Sequence, residues 1–419
     1  MVHRVTLFPL NVTGLLLGIV ATATIAVSGA YSHTLWPLGA DATLALRASG
    51  WALAAFLFFF LLYRARAGVV ISLRAVLLSS VLLCVPLMLT QPAFAGDLYA
   101  YVAGAKVAAI GNPYVLTPSV LGTDVILNGV APVWRGQPSA YGPLWNLMAS
   151  GLGHLTTNAF ALLTSFRLLA LAGVLTCAWL IAKATSPMHA ALIALNPIVL
   201  VDAVADGHHD ILVGLGVLAA VAWFRRPARS ALALAGATAF KFVPLIVAPV
   251  LIASGAPGKR RVLGAWFALA VVSLLVVSFM PFWVGAPTFD GLRQQASLFS
   301  QPVFFPQFLI FIFAYLGGSA VHPEVLARGL GLFAFLVAYA WTFLAAWRQR
   351  ISPVAAVAIV LASYIFLAAP YVQTWYLLWL LPVLALLPTR QAVRWVGATS
   401  VAWGTMLLVT SLHTVQIHW

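Results

Sequence analysis

Uninterrupted apolar stretches, each about 18 residues or longer, recur along nearly the whole of this 419-residue chain, and no other feature restricts its fold so severely. A backbone inside a bilayer must satisfy its own N–H and C=O groups, which leaves helices as the spanning element for a pattern of this kind. Only 7% of the residues are charged and 63% are hydrophobic, a balance that excludes a water-soluble domain. The chain is therefore expected to be an all-α polytopic membrane protein, one integral membrane domain over residues 1–419. The net charge of +14 comes mostly from arginines in short connections, as positive-inside anchoring requires. No basic domain stands outside the apolar text, so nucleic acid is excluded as a partner. Membrane lipid is the expected surrounding.

Spans are expected near residues 10–30, 44–62, 75–90, 158–182, 189–203, 209–223, 262–283, 324–347, 352–370, 371–388 and 391–412. That makes about 11 full crossings. The first run, after Arg4, is too long for a signal peptide and is taken as an uncleaved span. Arg64, Arg66, Arg74, Lys183, Arg225, Arg226, Arg229, Lys259, Arg260, Arg261, Arg348, Arg350, Arg390 and Arg394 fall in connections that alternate along the chain. Placing them all in the cytoplasm puts the N-terminus inside and the C-terminus outside. Cys84 and Cys177 lie within apolar spans, so neither a disulfide nor a metal site is expected from them.

Residues 230–255 are apolar but flanked by basic clusters on both sides, and they are too short for two full crossings. A helical hairpin solves this, bending at Lys241-Phe242-Val243-Pro244, where proline disfavours continued helix. Two long polar segments then share the outer face: a loop over 91–157 with surface helices, and a second over 284–323. The second carries Gln301, Gln307 and an apolar piece, 304–318, read as re-entrant or interfacial. The scarce acids gather on this same face. No internal repeat is visible.

Asp97 opens a surface helix, with Tyr101 one turn on and on the same face. It is either a general base or an N-capping residue. Lys106 and Arg135 lie in the same loop. Gly111-Asn112-Pro113-Tyr114 and Tyr141-Gly142-Pro143 are turn sequences whose tyrosines are candidates for a sugar site. Asp206-Gly207-His208-His209-Asp210 is the densest polar cluster; metal ligation, substrate or phosphate binding and helix capping are all open to it. No metal is expected, because the ligand set is incomplete. A lysine in mid-membrane costs about 3 kcal/mol, so Lys241 either meets a lipid phosphate or snorkels to the interface. Arg135 and Arg293 are further phosphate candidates. Tyr371, Gln373, Trp375 and Tyr376 fall at another outer turn, where Trp375, Tyr376 and Trp379 form an aromatic belt or a stacking surface for sugar.

The text Asp97-Leu98-Tyr99-Ala100-Tyr101, then Gly111-Asn112-Pro113-Tyr114, Trp134 and Ala140-Tyr141-Gly142-Pro143-Leu144, resembles the first outer loop of polyprenyl-phosphomannose-dependent mannosyltransferases of the GT-C superfamily. The actinobacterial α-1,6-mannosyltransferases of lipomannan core synthesis are the most similar group. Asn196-Pro197 and Gly207-His208-His209-Asp210 are similar to a later motif, in which the family has asparagine where His209 stands. Lys241-Phe242-Val243-Pro244 and Trp375-Tyr376 add to the likeness.

The resemblance implies a GT-C fold and a metal-independent inverting transfer without cofactor. The donor would be polyprenyl-phosphate mannose, and the acceptor a mannosylated glycolipid or mannan. Asp97 would be the general base. Lys241, Arg135, Arg293, His208 and His209 are expected to hold the donor phosphate. Tyr99, Tyr101, Asn112, Tyr114, Trp134, Tyr141, Asp206, Asp210, Gln373, Trp375 and Tyr376 are expected around sugar or acceptor. Two other classes fit a one-sided polar face on a membrane scaffold. One is a transporter or flippase of lipid-linked sugars, though such proteins carry internal repeats and midplane polar residues. The other is a polymerase or ligase of lipid-linked glycans.

Overall fold

The computed structural model describes residues 12–31, 40–90, 92, 96–298, 323–369 and 373–416, and among these it contains no strand. The first three helices, α1 (Val12–Tyr31), α2 (Ala40–Arg66) and α3 (Leu73–Met88), pack on one another. The polar loop contributes α4 (Asp97–Ile110), the short α5 (Pro132–Arg135) and α6 (Pro143–Leu155). Then come α7 (Ala159–Ala184), α8 (Pro187–Ala194), a π-helical turn (Val199–Ala205), α9 (Asp210–Ala222) and α10 (Pro227–Phe240). The remainder is α11 (Ala248–Ser254), α12 (Arg260–Phe279), α13 (Asp290–Leu298), α14 (Pro323–Trp347), α15 (Pro353–Ser363), α16 (Leu377–Leu384) and α17 (Thr389–Gln416).

Among the described residues, four segments are long and apolar enough to cross a membrane alone: Ala45–Arg66, Ala159–Ala184, Pro257–Phe282 and Val325–Trp347. The other expected crossings include shorter or bent elements. The span expected at 189–203 is two pieces bent by 60°. Proline causes the break, since Pro197 has no N–H to continue the ladder. Asn196 makes the corner specific: its Oδ1 accepts from the Ile198 amide at 3.0 Å and its Nδ2 donates to Ser400 Oγ at 2.7 Å. The span expected at 209–223 is α9, with 13 residues. At 1.5 Å per residue it is about 20 Å long, short of the roughly 30 Å hydrocarbon core.

Helix α9 is the centre of the molecule, buried on nearly every side and packed against α7, α10 and α16. Between membrane helices, close packing of small residues does the work that water exclusion does elsewhere. Helix α10 follows this rule, burying Ser230, Ala231, Leu234, Ala235, Ala237, Thr238 and Ala239. Ser230 also donates to the Ala220 carbonyl of α9 at 2.7 Å. The 230–255 segment is two helical pieces, α10 and Val243–Ser254, in contact with each other. They part at Lys241, whose backbone is extended at φ −156 and ψ 133. Cys84 and Cys177 are buried and unpaired. The expected piece at 304–318, with Gln301, Gln307 and Tyr371, lies outside the described residues.

Candidate functional site

Helix α4 starts without a side-chain cap: Gly96 is the N-cap, and Asp97 is the first helical residue. The capping reading of Asp97 is therefore not the one realised. A carboxylate in the first turn still complements the helix dipole. Among the described residues the Asp97 carboxylate makes no hydrogen bond. Its side chain is 26% exposed, facing a cavity of about 340 Å³. Asp97, Ala100, Tyr101, Gly104 and Val107 line that cavity, the spacing of one helical face. Burial pushes the Asp97 carboxyl up to about 6; Lys241 opposes the shift and Asp210 adds to it.

Lys241, Trp375 and Tyr376 line the same cavity. Lys241 Nζ is 2.8 Å from Asp210 Oδ1 and lies 4.9 Å from the ring centroids of both Tyr376 and Trp379. The Trp379 indole donates to the same Asp210 oxygen at 2.7 Å. A buried carboxylate and two aromatic faces thus hold the ammonium at the cavity edge.

The loop before α6 closes the cavity with Trp134, Gln137, Ser139 and Tyr141. It is tied down by its own polar groups. Asn112 Oδ1 accepts from the Tyr114 amide, and Asn112 Nδ2 donates to the Phe282 carbonyl at 2.7 Å. Tyr114 donates its hydroxyl to the Tyr141 carbonyl at 2.9 Å. The Gly142 amide donates to the Phe240 carbonyl at 3.0 Å, fastening the loop to the end of α10 one residue before Lys241. A Cβ at Gly142 would lie 2.2 Å from the Ala239 oxygen, so only glycine fits.

Below the cavity floor, the turn Asp206-Gly207-His208 needs Gly207 at φ +67. It presents His208 and His209 inward, stacked on Trp375 and Trp145 at 4.0 and 4.3 Å between centroids. Both rings are buried and neither lines the cavity. Asp210 is buried as the counter-ion of Lys241, and Asp206 is buried near Arg47 and Arg167.

Of the residues expected around substrate, the structure brings together Asp97, Tyr101, Trp134, Tyr141, Lys241, Trp375 and Tyr376. Others serve the frame. Arg135 donates to the Val130 carbonyl, and Arg293 is exposed and paired with Asp290 at 2.9 Å. Tyr99 packs against Gly129. Gln373 precedes the turn Thr374–Tyr376 and is off the cavity wall. Lys106 is spent on Asp124 at 2.5 Å, and this bond together with the Ile126 amide holds the Asp124 carboxyl below its usual range.

Sequence reasoning passed over Trp145, Asn146, Gln137, Ser139 and Gln295 on the wall. Asn146 carried a usable signal, a lone amide four residues after Gly142 in an apolar helix. It passed over Arg167 as well, which is buried and donates to the Ala205, Met88 and Thr90 carbonyls, binding α7 to the π-helical turn and the end of α3. Among the described residues, no group of three His, Cys, Asp or Glu side chains is placed to hold a metal ion.

A family model for the alpha-(1->6)-mannopyranosyltransferase N-terminal domain matches residues 6–256, and a model for the MptB C-terminal domain matches residues 308–416. A probable alpha-(1->6)-mannopyranosyltransferase of Mycolicibacterium smegmatis is 26% identical over 370 residues, 75% of this chain and 65% of the relative. One from Mycobacterium tuberculosis is 26% identical over 384 residues, again 65% of its length and 74% of this chain. A second from that organism, alpha-(1->6)-mannopyranosyltransferase A, is 30% identical over 146 residues, 33% of this chain and 28% of its own. The chain thus spans 65% of the length of the first two relatives. No solved structure matches it. With both family models aligned along it, and the first covering more than half its length, this chain belongs to the alpha-(1->6)-mannopyranosyltransferase family.

Proposed function

We propose that the cavity is the active site of an α-1,6-mannosyltransferase that takes mannose from a polyprenyl-phosphate donor and transfers it, with inversion, to a glycolipid or mannan acceptor. The observation that carries this reading is the pair Asp97 and Lys241, a carboxylate and an ammonium that line one aromatic-walled cavity, the lysine near enough to oppose the upward shift of the carboxyl. The acceptor hydroxyl gives its proton to Asp97 as its oxygen bonds to the anomeric carbon. The bond from that carbon to the phosphate oxygen breaks, and its electron pair leaves on the lipid phosphate. Lys241 stabilises the charge that develops there, and the burial of the site strengthens the effect. Trp134, Tyr141, Trp375 and Tyr376 offer ring faces to the sugars. No metal or cofactor takes part in this scheme. The same reading sets the cavity on the outer face of the cytoplasmic membrane, in a chain of about 11 crossings with its N-terminus inside.

Asp97→Asn tests the reading. The variant should insert and bind donor normally, while transfer falls by about 10²–10⁴, the range expected for a lost general base. Retention of more than roughly a tenth of wild-type turnover is too little loss for a base and removes Asp97 from that role.

A further inference from the structure

Beneath Asp97, two imidazoles meet one phenol. Tyr101 Oη lies 3.0 Å from His209 Nδ1 and 3.4 Å from His208 Nδ1. His208 Nδ1 also lies 3.8 Å from Asp97 Oδ2. All three of these rings are buried, with Tyr101 and His209 at 2% exposure and His208 at 0%. The Tyr101 hydroxyl also shares a hydrogen bond with the Tyr141 side chain, and a phenol has one proton, so Tyr101 can donate to at most one of its three partners. At least one imidazole must donate its own Nδ1–H to the phenol oxygen if all these contacts are to be made.

The two rings are not equivalent. His209 is nearer, and among the described residues no carboxylate is paired with it. At His208, a bare Nδ1 lone pair would face the Asp97 carboxylate as well as the phenol. An Nδ1–H there would instead present a donor to both oxygens. Burial keeps the His208 ring neutral, pushing it down to about 3, so it carries one proton and must choose a nitrogen.

We propose that His208 carries its proton on Nδ1, between the Tyr101 oxygen and the Asp97 carboxylate, so that His208 is a positioning residue for Asp97. This rests on the reading of Asp97 as the base. The other titratable groups about Asp97 are Lys241 from the turn after α10, Asp210 from α9, Tyr101 from its own helix and Tyr141 from the loop before α6. None of them faces Asp97 through a neutral N–H.

The test has two arms. The first needs no turnover. Protein labelled with ¹⁵N-histidine is placed in bilayers, and the tautomer of each ring is read by solid-state NMR. The difference spectrum against His208→Asn identifies the His208 signal among the nine histidines. Nδ1–H at His208 is expected; Nε2–H at His208 overturns the proposal.

The second arm compares two amides. Asparagine places its NH₂ near the position of Nδ1, and glutamine near that of Nε2. His208→Asn should keep the acid limb of the rate profile. His208→Gln should move that limb up by about one pH unit, because a carboxylate that loses an N–H dipole facing it across 3.8 Å holds its proton more tightly. At the acid end that shift is a roughly tenfold loss of rate, with donor KM unchanged. Coincident profiles for the two variants also overturn it. Failure of the parent reading looks different, since then Asp97→Asn itself keeps turnover while the tautomer result stands.

Discussion

Lys241 Nζ stands 2.8 Å from Asp210 Oδ1, and the Trp379 indole donates to the same oxygen at 2.7 Å. The second oxygen, Oδ2, is buried and has no partner among the described residues. Removing the lysine leaves a buried carboxylate uncompensated, which costs about 3–5 kcal/mol. Lys241→Met should therefore lower thermal stability and donor affinity together. Adding Asp210→Asn to it should restore stability, since the orphaned charge is gone, and should leave binding of the polyprenyl phosphate lost. Unfolding in detergent and a lipid-phosphate binding assay on the same samples separate the two effects. A double variant that binds like wild type would mean that Lys241 serves only the scaffold.

The elevated Asp97 carboxyl sets opposite pH dependences for rate and stability. As a base Asp97 works ionised, so kcat/KM should decline about tenfold per pH unit once the pH drops below about 6. For folding the sign reverses. The folded protein binds this proton more tightly than the unfolded chain, whose carboxyl has a value near 3.8. The contribution is full below the unfolded value and is lost as pH rises through about 6. Asp97→Asn removes the titration. Its melting temperature should exceed that of wild type at pH 7, and the gap should close toward pH 4. A gap independent of pH would place the carboxyl in a solvated setting.

The order of apolar runs marked most of the helices, because burial in lipid writes itself into composition. It was less able to mark where a helix stops. Helix α9 reads as a span of 15 residues over 209–223; the structure gives it 13 residues, buried on nearly every side. Asp97, Lys241, Tyr101 and Tyr141 were legible because a lone charge or a turn sequence in apolar text calls for a reason. His208 and His209 were visible too, and in the structure neither lines the cavity. Sequence shows that a polar cluster exists, but the direction in which it faces is decided by Gly207 and by the tryptophans stacked on the rings. Arg135 and Arg293 were equally visible, and in the structure backbone carbonyls and Asp290 engage them.

Gly258 offers a check on the expected topology. It lies in the exposed turn Pro257–Lys259 between α11 and α12, beside Lys259, Arg260 and Arg261. Both native cysteines are buried, so a single cysteine introduced there supplies the one reactive thiol among the described residues. Gly258→Cys should resist a membrane-impermeant maleimide added to intact cells and react once the membrane is opened. Labelling from outside would invert the placement of this basic cluster and move the cavity to the cytoplasmic face.

Gly142 joins the loop that carries Tyr141 to the helix end that carries Lys241. Its amide donates to the Phe240 carbonyl at 3.0 Å, and its backbone angles, φ −66 and ψ 159, suit any residue. The demand for glycine here comes from space: a Cβ would sit 2.2 Å from the Ala239 oxygen and 2.8 Å from the Phe240 carbonyl carbon. Backbone atoms cannot turn aside as a side chain can, so Gly142→Ala must push the loop and the end of α10 apart. Misplacing reacting groups by about 1 Å can cost 10²-fold in rate. Gly142→Ala should thus reduce kcat/KM by roughly that factor and weaken donor binding as well, because Tyr141 and Lys241 move apart together. Gly136→Ala is the control, since a Cβ at that position in the same loop meets nothing within 4 Å, and it should transfer at close to the wild-type rate. Equal rates for the two variants would show that the loop and the Lys241 turn are positioned independently.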